Sequence, residues 1–154
     1  MRVRTAIVVA LLQALPSMTH PSVAAASDLA ADVTQQPDAI VGEWLVQDRD
    51  GRVRFAKAAD GTYVGIATWA AEPKKDTNNP DPKLRDRDNV GSVVIWHLRY
   101  EDGQYVDGYC YNPRDGHTYR IKSELLAPDT LKIRGYLAIP LLGQTQQWTR
   151  VHQP

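Results

Sequence analysis

From Val41 onward, apolar and polar residues alternate with a period of two, and the alternation is interrupted at short, regular intervals. In HTYRIKSELL (117–126), His117, Tyr119, Ile121, Ser123 and Leu125 share one face and Thr118, Arg120, Lys122 and Glu124 the other. In TLKIRGYLAI (130–139), Leu131, Ile133, Gly135 and Leu137 oppose Lys132, Arg134 and Tyr136. In RVRFAKA (52–58), Val53 and Phe55 oppose Arg52 and Arg54. A period of two with one dry and one wet face predicts half-buried antiparallel strands. The same rhythm marks VGEWLVQD, TYVGIATW, SVVIWHL, QYVDGYCYN and QTQQWTRV, which brings the expected strands to eight. Four connections carry Asp-Gly, a dipeptide suited to tight hairpins, and the prolines fall in connections where no ladder donor is needed. No stretch sustains a helical period. A meander of eight strands pairs every edge by closing into an up-and-down barrel; the alternative, an open sandwich, usually needs crossovers that are not seen here.

One connection breaks the rhythm. DTNNPDPKLRDRDNVG (76–91) is polar, carries two prolines and is too long for a hairpin turn. Its oxygen donors Asp76, Asn78, Asn79 and Asp81 do not make a calcium loop, because Pro80 takes a donor position and Asp81 the position of the required glycine. Asp81 suits an N-cap and Pro82 the first helical position, so the stretch predicts a short helix after strand three, pinned to the barrel by Leu84. Long connections in compact domains are commonly functional. The expectation is a lid over the barrel mouth, with Asn79, Asp81, Leu84 and Arg87 as its residues.

The chain opens with MRVR, the apolar run Thr5–Leu15 and small residues at Ala24 and Ala26, the order of a secretory signal peptide cleaved near Ala26–Ser27. The apolar run is shorter than the ~20 residues a membrane span needs. The expected organisation is a signal peptide over 1–26, a flexible leader over 27–40 and one barrel domain over 41–152, located in the periplasm or secreted. Loss of Arg2 and Arg4 leaves 16 basic against 18 acidic residues, which excludes the basic excess of a nucleic-acid surface. The single cysteine, Cys110, can form no internal disulfide and reads as a small buried hydrophobe.

Recognisable catalytic sets are missing. His97, His117 and His152 lack metal-ligand spacing, and no Gly-x-Ser-x-Gly elbow occurs. Ser123 and His117 share a face but lie roughly 20 Å apart along one strand. The expectation is a protein that is not an enzyme and needs neither metal nor cofactor.

The segments GEWLV, NNPDPKLRDR, GYCYNPRDGHTY and LKIRGYLAIPLLGQTQQWTR, spread over Val41–Val151, resemble a bacterial family of exported proteins catalogued as domain of unknown function 2147. The opening Gly-x-Trp and the closing WTRV are similar to the wider calycin pattern. The resemblance implies a lipocalin-like barrel in which Arg150 packs on Trp44, and it implies no reaction. The chain departs from the family pattern at Cys110, Asn112 and Asp107. Three function classes then compete: a carrier of a small apolar or amphipathic molecule, an interaction module using the outside of a filled barrel, and an enzyme. The expected ligand wall is Val53, Phe55, Tyr63, Val106, Ile121 and Ile133, with His117 and Tyr119 as the orienting polar groups. Tyr109, Tyr111 and Tyr136, on expected outer faces, mildly favour the interaction module.

Overall fold

The computed structural model describes residue 32 and residues 34–152. The expected signal peptide and the first part of the leader lie outside the described residues. Eight strands follow in order: β1 (Gly42–Leu45), β2 (Gly51–Lys57), β3 (Tyr63–Ala70), β4 (Val93–Glu101), β5 (Gln104–Asn112), β6 (His117–Ala127), β7 (Thr130–Tyr136) and β8 (Gln144–Arg150). Each pairs antiparallel with the next, and β8 returns to β1, closing the barrel. The closing seam is short, with Trp44 opposite Arg150 and Leu45 opposite Thr149. No helix among the described residues is long and apolar enough to cross a membrane.

The turn chemistry explains the meander. Asp102 and Gly103 have φ of 48° and 80° and join Glu101 directly to Gln104. That is the two-residue turn whose twist matches the strands, and it needs two left-handed residues. The expected helix of one or two turns after strand three is instead a single 3-10 turn, η2 (Pro82–Leu84), with the Asp81 carboxylate accepting from the Lys83 amide at 3.0 Å. The cap and the proline act as expected. The continuation RDR has no apolar face to bury, so nothing rewards a longer helix.

The leader is not loose at its end. Pro37–Ile40 forms a 3-10 turn, η1, and Ile40 is fully buried. The folded unit therefore begins several residues before the expected boundary at residue 41.

The interior is one cluster that includes Trp44, Phe55, Tyr63, Ile95, Leu98, Tyr105, Ile121, Leu131, Ile133 and Trp148. Two bulges set its composition. In β4, Ile95 and Leu98 both face inward three residues apart, with His97 at φ 58° between them. In β5, Tyr105 pairs with Ser123 and Gly108 with Ile121, again three apart, with Asp107 at φ 58°. A bulge adds one residue and shifts every later side chain by one position. Tyr105 therefore enters the core, and Val106, expected in the wall, does not belong to it.

The interior glycines divide into two kinds. A Cβ on Gly108 would stand 2.5 Å from Leu98 Cδ1 and 2.9 Å from Ile121 Cγ1, whereas one on Gly135 would meet Tyr119 and Ile121 no closer than 3.8 Å. Gly108→Ala should lower stability by about 1–2 kcal/mol through overpacking. Gly135→Ala should be neutral or slightly stabilising, because its φ is ordinary and the unfolded chain loses freedom. Urea titration of both variants checks the contrast, and equal losses would contradict it.

Candidate functional site

The two ends of the barrel are built differently. At the end where β2, β4 and β6 finish, η1 plugs the opening. The Trp44 indole donates to the Ile40 carbonyl at 2.8 Å. The Ile40 amide donates to the Tyr105 hydroxyl, which donates in turn to the Pro37 carbonyl, both at 3.0 Å. The Tyr63 hydroxyl donates to Asp38 at 2.5 Å, and Lys57 pairs with the same carboxylate at 2.7 Å. The Arg150 guanidinium lies 4.2 Å from the Trp44 ring centroid and donates to the carbonyls of Pro128, Val41 and Ala39 at 2.8, 3.0 and 2.6 Å. The Arg150–Trp44 pairing implied by the family resemblance is thus present, and it extends to three backbone acceptors. Burial, with Asp38 beside it, raises the Tyr63 pKa well above that of a free phenol, and burial pushes Tyr105 up to about 12, so both stay protonated donors. Above this floor sit the edge-to-face rings of Tyr63 and Tyr105, 5.5 Å apart, and the tilted pair Phe55–Trp148. This half of the barrel is solid.

The opposite end carries the β1–β2 turn, the long connection 71–92, the β5–β6 turn and the β7–β8 connection. Across it runs Arg114, whose guanidinium pairs with Asp48 at 3.4 Å and with Asp50. Those groups belong to the β5–β6 and β1–β2 turns, which stand on opposite sides of an eight-strand ring. The pairs are mostly exposed. Exposed pairs contribute little, about 0–1 kcal/mol, and salt screens them. The mouth is therefore bridged by a weak clasp, whereas the floor is fixed by buried hydrogen bonds.

The segment expected as the lid does not supply that bridge. Its anchors run to the rim beside β5. The Asp76 carboxylate, fully buried, accepts from the Tyr111 hydroxyl at 2.5 Å, from the Asn79 amide at 2.7 Å and from Arg87 at 2.8 and 2.9 Å. Asn78 donates to the carbonyls of Pro113 and Arg114 at 3.1 and 2.9 Å. Leu84, expected to pin the segment, is 38% exposed. Polar anchors replace the apolar one, and the segment buttresses the rim. Asn79 and Arg87 belong to this buttress, while Asp81 caps η2. Burial opposes ionisation of Asp76, but its hydrogen bonds from Tyr111, Asn79 and Arg87 outweigh it and hold the carboxyl below the usual carboxylate range. Tyr111, assigned from the sequence to an outer face, does face outward but is covered by this contact and is 7% exposed.

Of the expected wall, the structure brings together Val53, Phe55, Tyr63, Ile121 and Ile133. His117 has the inward parity but lies at the strand end, with its side chain 63% exposed beside Asp115. It cannot orient anything inside the barrel. Tyr119 sits at the rim and donates to Asp115 at 2.7 Å. The polar group that does lie within the wall is Ser123, 4% exposed, whose Oγ has no hydrogen-bond partner. Its inward parity was visible in the sequence, but the absence of a partner could only be seen in three dimensions. Cys110 also faces inward, and burial pushes its thiol up to about 12, so it is not a thiolate at neutral pH.

Two concavities open on the outside. One of about 310 Å³ is lined by Pro37, Lys57, Thr62, Tyr63 and Tyr100, and one of about 130 Å³ by Lys122, Ser123, Glu124, Lys132 and Arg134. Phe55, Ile121 and Ile133 line neither.

Comparison with known proteins agrees with this architecture. Among solved structures, protein HP1028 from the human pathogen Helicobacter pylori, described as belonging to the lipocalin family, superposes with a TM-score of 0.68 at 26% identity, over 74% of this chain and 84% of that one. No curated protein matches the chain significantly. The family profile described as an uncharacterised protein conserved in bacteria matches residues 42–150, from the glycine that opens β1 to the arginine that closes β8, and the chain belongs to that family, DUF2147.

Proposed function

We propose that the chain is exported and binds a small, largely apolar molecule non-covalently in the mouth-side half of its barrel. The observation that carries this reading is the asymmetry of the two ends. A permanently plugged floor beneath a mouth held by screened ion pairs is the construction of a container with one entrance. The wall near that entrance is apolar, with Ile121, Ile133, Cys110 and Gly135. Its polar group is Tyr119 at the rim, with Ser123 deeper in the wall opposite Tyr105, and an apolar wall with few polar groups is the usual composition of a ligand site. Aromatic rings fill the lower half, so the ligand is short. The lipocalin-family neighbour supports a binding barrel, and burial keeps Cys110 a protonated part of its wall. The reading requires no metal and no cofactor.

A thermal-shift screen of fatty acids, isoprenoids and aromatic metabolites tests it. A ligand present at a hundred times its Kd should stabilise the fold by about 2.7 kcal/mol, a rise of about 10 °C for a domain of this size. Gly135→Leu should abolish the shift by filling the space beside Tyr119, while Gly135→Ala should retain it. No shift with any compound would overturn the reading. Arg114→Ala, which removes the clasp without touching the wall, should speed ligand release several-fold in stopped-flow measurements and leave the melting temperature nearly unchanged.

A second reading, an interaction module with a filled barrel, is favoured by the close packing around Gly65 and Gly108. The outer surface offers it the Trp96–Tyr109 stack, with centroids 6.0 Å apart. A failed ligand screen would promote it.

A further inference from the structure

The connection between β7 and β8 is the most apolar exposed segment of the described chain. Leu137, Ile139, Leu141 and Leu142 are 62, 50, 82 and 80% exposed. A flexible loop could fold such side chains back onto the barrel, but this one is held out. Arg134 donates from Nε to the Pro140 carbonyl at 2.7 Å, and from its two terminal nitrogens to the Leu141 carbonyl at 3.1 Å and Thr145 Oγ1 at 2.7 Å. The 3-10 turn η3 (Pro140–Leu142) closes on Gly143, where a Cβ would lie 2.4 Å from the Gly135 carbonyl oxygen. A specified backbone thus presents four aliphatic side chains to solvent at the mouth end. Contiguous exposed apolar surface of this kind marks a contact site.

The charge beside it indicates the partner. Below the tip, the outer faces of β6 and β7 carry Arg120, Lys122, Lys132 and Arg134 against one carboxylate, Glu124. Lys132 takes up Glu124. Lys122 stands directly opposite Arg134, and Arg120 opposite Tyr136. Arg120, Lys122 and Arg134 form no ion pair among the described residues; Arg134 is bonded to neutral oxygens, and Arg120 lies over the Tyr109 ring at 6.0 Å. Of the turn carboxylates at the ends of β6, Asp115 is occupied by Tyr119 and the His117 amide, and Asp129 by Arg150 and His152. The neighbouring outward residues of β8, Thr145, Gln147 and Thr149, are uncharged. The whole chain balances 18 basic and 18 acidic residues, so a basic strip under an apolar tip is a local concentration. Juxtaposed like charges cost stability, and Lys122, opposite Arg134, has no ion pair among the described residues to offset that cost.

We propose that the β7–β8 connection docks peripherally on an anionic phospholipid surface, with Leu137, Ile139, Leu141 and Leu142 entering the headgroup boundary and Arg120, Lys122 and Arg134 meeting the lipid phosphates. An apolar wedge with basic residues just above it is the arrangement that binds such an interface. Docked this way, the barrel mouth faces the bilayer. The proposal is independent of whether the barrel holds a ligand.

Vesicle co-sedimentation tests it. The chain from Ser27 onward contains η1 and every strand, and its use keeps the apolar run Thr5–Leu15 from contributing. It should bind vesicles of mixed phosphatidylcholine and phosphatidylglycerol and bind phosphatidylcholine alone far more weakly. Leu141→Ser with Leu142→Ser, and separately Arg120→Gln with Lys122→Gln, should each weaken binding on the order of tenfold. Added salt should weaken the wild type and barely affect the charge variant. All four positions are exposed, and far-UV circular dichroism confirms that the variants remain folded. Leu141→Cys, labelled with a polarity-sensitive dye, should shift to the blue on anionic vesicles. No binding to anionic vesicles, equal binding to neutral ones, or binding that survives both double substitutions would overturn the proposal. In the first case the tip is left to a protein partner.

Discussion

Arg150→Lys should lower the melting temperature by about 12 °C, a loss of about 3 kcal/mol. Arg150 does three things at once in the barrel floor. It lies over the Trp44 ring, it bonds three backbone carbonyls, and it stands across the two-pair seam that closes β8 on β1. Lysine keeps the charge but has neither the planar stacking surface nor the fork that reaches Ala39, Val41 and Pro128 together. At least two carbonyls would lose a charged donor, at about 1–3 kcal/mol each where water cannot replace it. The stacking contribution, about 0.5–2 kcal/mol, falls as well. Because the same residue anchors η1, the variant should also expose the amides of Ile40 and Val41 to faster hydrogen exchange. Unchanged melting and unchanged exchange would show that η1 holds the floor without Arg150.

Asp76→Ala should cost about 3 kcal/mol and change how the protein unfolds in acid. Asp76 has no exposure to water and accepts from three side chains. Removing it leaves Tyr111, Asn79 and Arg87 without their shared acceptor; Arg87, one-third exposed, recovers part of its hydration, which keeps the figure at the lower end for a broken buried pair. The folded-state pKa of Asp76 lies below its unfolded value of about 3.9, so its stabilisation is complete above that pH and is lost as pH falls through the folded value. Urea melts of the wild type should therefore weaken below about pH 4 more steeply than those of Asp76→Ala. Parallel pH profiles would contradict the assignment. Burial pushes Tyr111 up to about 12, with Asp76 adding to the effect, so the hydroxyl remains a donor throughout that range.

The architecture was legible because the local signals agreed. Period-two patterning, Asp-Gly turns and the placement of proline all pointed to eight consecutive hairpin strands, and the interior faces of β2, β6 and β7 follow directly from alternation. The failures share one physical origin, a non-local contact or a one-residue slip that periodicity does not encode. The bulge at Asp107 exchanged Val106 for Tyr105 in the wall. In β4 a similar slip at His97 keeps both Ile95 and Leu98 inside. His117 kept its parity but ran past the rim. Tyr111 faces outward, as alternation required, yet it is covered because a carboxylate 35 positions earlier folds back onto it. In the same way, Leu84 drew attention as the one large apolar residue of PKLRDR, while the anchors that hold the connection are Asp76, Asn78 and Asn79. The Arg114 clasp joins turns 64 and 66 residues apart, and no short pattern announces it.

The floor, the clasp and the apolar upper wall together make one claim, that this barrel is a container with a single entrance. Native mass spectrometry of the protein, purified without detergent from cells that make it, addresses that claim most directly. A container should give a second mass series displaced by one small molecule, lost on collisional activation and absent in Gly135→Leu. A single bare mass for the wild type, indistinguishable from that of Gly135→Leu, would contradict it.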